Sequence, residues 1–289
     1  PLGVSFAALY TTEWKQRTQL ERQYKNAGTV EQPDATLTDR FRYDVSEFDA
    51  RIGGLLTSAY KFDANNKITF RSLIDRYSAD YTRTGAGQTE QLDIQKSLET
   101  QSTLQWTEEQ LEYGQLAGEH RWWGGRLWLD WRSAMSQTTQ DIPDTRYITY
   151  ATTDPSLNPL AFTNDSLGGL RTYQTLSEWL SDNAADFTVP FSTALPFTDI
   201  WSGLPAKLKF GPAWSYRDRD FQMRRFRYRV SGTVDPTLPP DEYLAPSNIG
   251  AGGVDFAEET QPRDSFGAIQ RILGGYGMLE LPLIADTLR

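Results

Sequence analysis

Apolar and polar residues alternate along much of this chain with a period of two, the pattern of a β-strand that has two different faces. In the segment RLWLDWRSAMSQTTQ, the side chains of Leu127, Leu129 and Trp131 fall on one face. Asp130 and Arg132 fall on the other. One side of such a strand contacts an apolar medium and the other side contacts a polar one. We therefore predict strands for this chain, because few segments keep the 3.6-residue apolar period of a helix.

A second segment, KLKFGPAWSYRDRD, alternates in the same way. Leu208, Phe210 and Trp214 form its apolar set, and its polar set begins with Lys207 and Lys209. Segments of this kind predict eight strands. The predicted strands cover about residues 3–24, 47–62, 67–82, 109–121, 126–138, 185–192, 206–229 and 268–284.

The connections between these strands predict an antiparallel meander. DANN (63–66) and WWGG (122–125) are short and rich in turn residues, as hairpin turns are. Every second connection is long and polar. The long connections are predicted at about 25–46, 83–108, 139–184 and 230–267. The fold class is therefore all-β, with residues 1–289 forming one antiparallel sheet and its loops.

Two settings fit strands with one apolar and one charged face: a soluble sandwich or barrel, and a transmembrane barrel with its apolar face in lipid. Three features favour the membrane. Aromatic residues such as Phe62, Trp122 and Trp123 lie beside the short turns, the polar faces carry formal charges, and short and long connections alternate. We predict that the lumen is lined by Arg71, Asp130, Arg132, Lys207 and Lys209, and that lipid contacts Leu127, Leu129, Trp131, Leu208, Phe210 and Trp214.

Composition narrows the function classes. The net charge of −9 argues against a nucleic-acid-binding surface, and without cysteine the chain has no disulfides or thiolate metal sites. No run of 18 apolar residues exists, so the sequence predicts no transmembrane helix. The chain starts at PLG without an initiator Met or a signal-peptide pattern, so we expect a mature or internal portion of a longer protein.

Catalytic chemistry finds little support in the residue types. His120 is the only histidine, and one histidine without cysteine does not make a typical zinc site. We interpret His120 as structural or lumen-lining. Carboxylates are abundant, but nothing in the sequence fixes the separation of a pair, and no glycine-rich phosphate loop is present. We predict a protein that is not an enzyme and that holds no cofactor or metal.

Two stretches are candidates for ligand binding. The segment RDRDFQMRRFRYRV, which includes Arg224 and Arg225, suits an anionic ligand or lipopolysaccharide phosphates, although pairing with acidic residues of neighbouring strands is the favoured interpretation. The predicted 139–184 loop contains exposed aromatic candidates that suit sugar capture or a self-packed loop, and the sequence does not separate these two. These candidates are Tyr147, Tyr150, Tyr173 and Trp179.

The order of these elements resembles a known family. GQLAGEHRWWGGRLWLDWRSAMSQTTQDIPDTRYITY (114–150) is similar to a hairpin of the barrel of TonB-dependent outer-membrane receptors. DFTVPF (186–191) with LPAKLKFGPAWSYRDRDFQMRRFRY (204–228), and GGYGMLELPLIADTLR (274–289), look like the elements that follow it. The resemblance covers most of the chain. Because those receptors close about 22 strands around a plug, eight strands without a plug suggest a consecutive portion of the barrel wall.

The resemblance implies a receptor and transporter in the bacterial outer membrane, for energy-coupled uptake of an iron chelate, a cobalamin-like compound or a glycan. It implies contact with outer-membrane lipid and lipopolysaccharide, a plug domain, an energy-coupling periplasmic protein and a small-molecule ligand, and no nucleic acid. Two alternatives stay open. One is a passive porin or a small self-closed barrel, and the other is a secreted carbohydrate-binding β-sandwich.

Overall fold

The protein is described here from a computed structural model. The structure describes residues 1–26, 28–29, 34–91, 95–154, 156, 158–164, 167–192, 205–230, 232–250 and 252–281. Within these ranges strands dominate, and no helix is long and apolar enough to cross a membrane.

Ten strands account for most of the described chain. They are β1 (Leu2–Asn26), β2 (Ala35–Lys61), β3 (Asn66–Gln91), β4 (Gln95–Trp122), β5 (Leu127–Thr152), β6 (Ala161–Thr163), β7 (Leu170–Ser192), β8 (Pro205–Arg229), β9 (Asp255–Glu258) and β10 (Phe266–Glu280). A one-turn helix, α1 (Pro240–Tyr243), and three short 3₁₀ turns (123–125, 246–248 and 262–264) complete the described elements.

All ten strands belong to one antiparallel sheet, which curls into a half-barrel. The long strands follow the order β1-β2-β3-β4-β5-β7-β8-β10, while β6 pairs with β5 and β9 pairs with β8. Among the described residues β1 and β10 are the two edges of the sheet. The predicted all-β meander with eight long strands is therefore confirmed, and the described strands do not close on themselves as a small self-closed barrel would.

The predicted loop boundaries were wrong. The ladder between β1 and β2 continues to the pair Asn26↔Ala35, so most of 25–46 is strand. The ladder between β3 and β4 likewise reaches Gln91↔Gln95 within the predicted 83–108 loop, and β5 and β7 extend deep into 139–184. Only the 230–267 connection is mainly loop. Backbone hydrogen bonds hold a ladder whatever the side chains are, so these strands continue where both faces become polar.

The register assigns every long strand two faces. Traced from strand to strand, Arg71, Asp130, Arg132, Lys207 and Lys209 lie on one face of the sheet, which we call the inner face. The opposite, outer face carries Leu127, Leu129, Trp131, Leu208, Phe210 and Trp214. The sequence separated these two sets correctly.

Side chains that span two strands identify the inner face as the concave one. Arg83 on β3 reaches over β2 to Glu21 on β1, with 2.5 Å between Nη2 and Oε2. The Tyr43 hydroxyl on β2 donates to Gln101 on β4 over 2.7 Å, across β3. Such contacts require side chains that converge, as they do inside a curved sheet.

The described part of the chain has no continuous hydrophobic core between two layers. Large apolar side chains of the outer face are exposed, including Phe6 (73%) and Trp14 (80%). The described residues form a single sheet, so no second sheet covers this face as a β-sandwich requires. Among the described residues, buried apolar side chains form two clusters, both at the end of the sheet away from the short turns, which we call the long-connection end.

Near the short turns, Trp131 lies against the backbone of Gly118 on the outer face. A Cβ atom on Gly118 would come within 2.2 Å of the indole nitrogen of Trp131. That nitrogen donates to His120 Nε2 over 3.1 Å, and His120 Nδ1 lies 2.9 Å from Asn66 Oδ1. Because Nε2 accepts the hydrogen bond from Trp131, Nδ1 carries the ring hydrogen and donates to Asn66 Oδ1. His120 therefore has a structural role and does not line the inner face.

We expect Gly118→Ala to lower the free energy of unfolding by about 1–3 kcal/mol, because the added methyl forces the Trp131 ring out of its position. Gly114→Ala is the matched control, since Gly114 lies on the same face of β4 with no atom within 4 Å of its Cβ position. Urea unfolding followed by tryptophan fluorescence measures both. Equal losses in the two variants would contradict the close packing.

Candidate functional site

Ion pairs between neighbouring strands run along the inner face. They include Lys15–Asp49 (2.5 Å), Arg51–Asp75 (2.6 Å), Lys67–Glu119 (2.9 Å), Arg121–Asp130 (2.8 Å), Arg219–Glu178 (2.7 Å) and Lys209–Glu280 (3.5 Å). Exposed pairs of this kind contribute about 0–1 kcal/mol each. Their main consequence is a charged, hydrated lining on the concave side of the sheet.

A cavity of about 130 Å³ opens on this face at the long-connection end. Three neighbouring strands, β3, β4 and β5, provide its floor, and Thr163 and Leu167 close one side. The register pairs Thr103 with Tyr147 and Gln101 with Thr149, so these four side chains point to the same side. The polar side chains of the lining are Arg83, Glu99, Gln101, Thr103, Tyr147 and Thr149.

Arg83 forms one wall of this cavity together with its neighbours. Its guanidinium carbon lies 3.5 Å from the centre of the Tyr43 ring, and Nη2 donates to Glu21. Its Nε atom is buried and has no hydrogen-bond partner among the described residues. A buried donor without a partner costs about 1–3 kcal/mol. A ligand oxygen or a water molecule in the cavity would remove this cost.

The phenols around the cavity are protonated at neutral pH. Burial raises the pKa of Tyr43 to about 12, with Arg83 acting against the shift and the carboxylates Glu21 and Glu99 adding to it. Burial also raises the pKa of Tyr147. Both hydroxyls therefore remain donors, and Tyr43 uses its proton to bind Gln101.

Glu99 supplies the charged acceptor of the site. Its side chain is almost completely buried, with 5% of the residue exposed. It accepts hydrogen bonds from Ser97 Oγ over 3.2 Å and from Gln101 Nε2 over 3.1 Å. The cavity thus presents hydroxyl, amide, carboxylate and guanidinium groups, which suit a polar ligand with several hydroxyl groups. No cluster of three His, Cys, Asp or Glu that could hold a metal exists among the described residues.

Of the predicted aromatic candidates, only Tyr147 lines the cavity. Tyr150 lies on the outer side of β5, where its hydroxyl donates to the Leu238 carbonyl over 2.7 Å. Tyr173 and Trp179 also face outward, and the Tyr173 ring meets Phe226 edge-on at 5.5 Å. The idea that these residues share a binding loop was wrong, because they stand on strands and on opposite faces.

The arginine-rich segment of β8 is neutralised by acidic partners. Arg224 pairs with Glu258 on the outer side over 3.0 Å, and Arg225 pairs with Asp264 on the inner side over 3.6 Å. Arg227 and Arg229 both bind Glu259, at 2.8 and 3.0 Å. Pairing with neighbouring acids, which the sequence analysis favoured, is therefore what the structure has. Most of these acids come from the β8–β10 connection.

That connection folds back over the outer side of the strands and packs on them. Tyr150, Phe162, Tyr228, Tyr243 and Val254 form a buried cluster there, which we call the cap cluster. Sequence reasoning missed this packing, because the contributing residues come from three separate stretches. The one local signal is PPDEYLAP, in which a single tyrosine is surrounded by prolines and acids.

Comparisons with family models, with curated proteins and with solved structures find no match to this chain. A functional assignment therefore depends on the two faces of the sheet, on the cavity and on the sequence resemblance.

We expect acidification to loosen the β8–β10 connection. Hydrogen bonds from Arg227 and Arg229 hold the pKa of Glu259 below its usual value, although partial burial opposes them. A depressed carboxylate pKa stabilises the fold above the ordinary pKa of about 4.3, and this contribution is lost as pH falls through the folded value. Hydrogen exchange of the β9 amides, corrected for the intrinsic pH effect, should rise about three- to fivefold below pH ~4, matching a pair worth up to about 1 kcal/mol.

Glu259→Gln is the control for this experiment. It removes the titrating group, so β9 should exchange faster at neutral pH and respond less to acid. If the wild-type protein and Glu259→Gln showed the same response to acid, Glu259 would not be the group that holds the connection.

Proposed function

We propose that the chain forms part of the wall of an outer-membrane β-barrel that takes up a scarce nutrient as an energy-coupled receptor. The observation that carries this proposal is the exposed apolar band on the convex face of a sheet whose concave face is charged. A transmembrane barrel has this arrangement, with lipid outside and water inside.

The height of the apolar band fits a bilayer. On β8 it runs from Ala206 to Tyr216, close to the 9–11 residues that a tilted strand needs to cross the hydrocarbon region. Aromatic residues border the band at both edges. Tyr60, Phe62 and Trp122 lie at the short-turn end, and Trp14 and Phe48 lie in contact at the other end on β1 and β2. Interfacial aromatic residues occupy these positions in membrane barrels.

The band also crosses the hydrogen-bonded rows at an angle. One row of outer-face residues runs from Tyr10 to Ile52, Arg76, Gln110 and Thr139. On β1 and β2 the residues of this row belong to the apolar band, whereas from β3 onward they are polar and lie outside it. Rows perpendicular to the strands rise through a membrane only when the strands are tilted, as barrel closure requires.

The two edge strands of the sheet indicate that the proposed barrel contains further strands. An open strand edge in lipid leaves N–H and C=O groups unpaired, at several kcal/mol for each group. β1 and β10 are such edges among the described residues. We infer that further strands complete the barrel, which agrees with the resemblance to receptors whose barrels have about 22 strands.

The receptor function is supported by the cavity on the inner face. It lies at the long-connection end, where a ligand from outside the cell arrives first, and its polar groups suit a hydroxyl-rich ligand. A plug domain and an energy-coupling periplasmic protein enter through the sequence resemblance alone. A passive porin is the second candidate, because a charged inner face also suits a water-filled channel.

Phe210→Arg tests the membrane location. Phe210 lies in the middle of the outer band on β8, where an arginine in lipid costs about 2–4 kcal/mol. Urea unfolding from lipid vesicles should show this loss for Phe210→Arg and less than about 1.5 kcal/mol for Phe210→Leu. Ser215→Arg, on the inner face opposite Asp182, should be nearly neutral. If Phe210→Arg were also neutral and the protein stayed dispersed without detergent, the membrane proposal would be wrong.

Tyr147→Phe tests the cavity as a ligand site, with Tyr173→Phe on the outer side as the matched control. Cells that export the protein are supplied with a labelled iron chelate, cobalamin or oligosaccharide, with and without an uncoupler. We expect uptake of one of these probes to depend on energy and its affinity to fall about five- to tenfold in Tyr147→Phe only, as for one lost hydrogen bond. If the uncoupler did not change the rate of uptake, the result would favour a passive porin.

A further inference from the structure

Three arginines lie together on the outer face of β1 and β2 at the long-connection end. Arg22, Arg40 and Arg42 are exposed, and none of them has an ion pair among the described residues. The register places Arg22 directly opposite Arg40, and Arg42 two residues further along β2. This group, the arginine triad, differs from the arginines of β8, which have acidic partners.

The pairing of Arg22 with Arg40 is unfavourable by itself, because like charges directly opposite each other repel. Asp44 lies on the same face two residues beyond Arg42 on β2, and its carboxylate accepts a hydrogen bond from Thr18 over 3.0 Å. The triad is thus a local excess of positive charge on a chain with net charge −9. An anion bound between the guanidinium groups would offset the repulsion.

A groove of about 490 Å³ runs beside two members of the triad. Arg40 and Arg42 form one wall, Gln88 adds an amide, and Leu20 and Leu98 provide apolar surface. The floor is open because Ala86 and Gly87 of β3 carry small side chains or none. Such a lining suits a ligand with charged oxygens and a bulky, partly apolar body.

The triad stands well above the apolar band. Six residues of β1 separate Trp14, at the edge of the band, from Leu20, opposite Arg42, or about 20 Å at ~3.3 Å per residue. A strand tilt of about 40° reduces this to about 15 Å along the barrel axis. The phosphate of an ordinary phospholipid lies at the edge of the band and does not reach this height. An anionic group on a long saccharide headgroup does.

We propose that the arginine triad and its groove bind the phosphorylated core sugars of a glycolipid in the outer leaflet, of the lipopolysaccharide class. Arginine forks recognise phosphate in a bidentate manner, and the groove accommodates the sugar that carries it. The proposal rests on the proposed membrane location, and it names a lipid-binding site separate from the inner cavity.

The test compares three ligands on the purified protein in non-ionic detergent. The first is lipopolysaccharide with a phosphorylated core, the second is lipid A without core sugars, and the third is inorganic phosphate. The variant is the double substitution Arg40→Gln and Arg42→Gln. Arg224→Gln with Arg229→Gln is the matched control, because it removes the same charge from two arginines that have acidic partners.

We expect the Kd for the phosphorylated-core ligand to rise at least about tenfold in the triad variant, as for one or more lost charge-assisted hydrogen bonds. It should change less than about twofold in the control. Lipid A should bind all three proteins alike, and higher salt should weaken only the core-dependent binding. Unchanged binding in the triad variant, an equal loss for lipid A, or full competition by millimolar inorganic phosphate would each overturn the site.

A parallel partition assay separates this proposal from the membrane location. If wild type and variants all require detergent while core-dependent binding does not change in the triad variant, only the glycolipid site fails. If the wild-type protein stays dispersed in plain buffer, the membrane location fails first.

Discussion

The antiparallel backbone pairing of each long strand with the next, from β1 to β10, is the constraint on which the other features depend. Side chains alternate between the two faces of a strand, so a slip of one residue would exchange the faces completely. The register of each strand pair fixes which residues of the next strand lie on the same face. The charges of Lys15 on β1 and Lys209 on β8 therefore share the inner face, although five strands of the path lie between them. Curvature of this ladder then makes one face concave and the other convex.

The sequence predicts the halves of the strands near the short turns well, because apolar and charged residues alternate there. It fails in the other halves. In the stretch LETQSTLQWTEE of β4 the inner-face residues are all polar and the outer face has only three apolar residues, Leu98, Leu104 and Trp106. The period of two is therefore weak, yet the backbone groups pair with both neighbours. Side-chain patterns report the contrast between the two faces of a strand, and this contrast weakens where most residues of both faces are polar.

The inner cavity was beyond sequence reasoning for a related reason. Arg83, Gln101 and Tyr147 come from three strands, and their convergence depends on the register between them. A register shift between Ile142 and Thr145 on β5 decides which later residues face inward. Such an irregularity has no clear signature in the sequence. Tyr147 and Tyr150 lie on opposite faces because they are three residues apart on one strand, and the irregularity decides which of the two faces inward.

The number of arginines in a stretch of sequence likewise does not show how many of them lack an acidic partner in the fold. The segment RDRDFQMRRFRYRV attracts attention, but Glu178, Glu258, Glu259 and Asp264 neutralise many of its arginines. Arg22, Arg40 and Arg42 are scattered among ordinary residues, and only the β1–β2 pairing brings them together. The register between strands therefore decides whether an arginine has an acidic neighbour or can bind a ligand.

A single curved sheet with an exposed apolar face buries less apolar surface than a fold of two packed layers does. The outer face exposes many large apolar side chains, among them Phe6 and Trp14, whereas soluble monomers rarely expose contiguous apolar patches of more than a few hundred Å². Among the described residues, the outer backbone edges of β1 and β10 have no strand partner. The exposed apolar face and the unpaired strand edges are stabilised in different ways. Lipid covers apolar side chains, but it does not form hydrogen bonds with N–H and C=O groups. Under the proposed function, the stability of this half-barrel depends on both the lipid and the strands that would pair with its edges, as the stability of an obligate subunit depends on its partner.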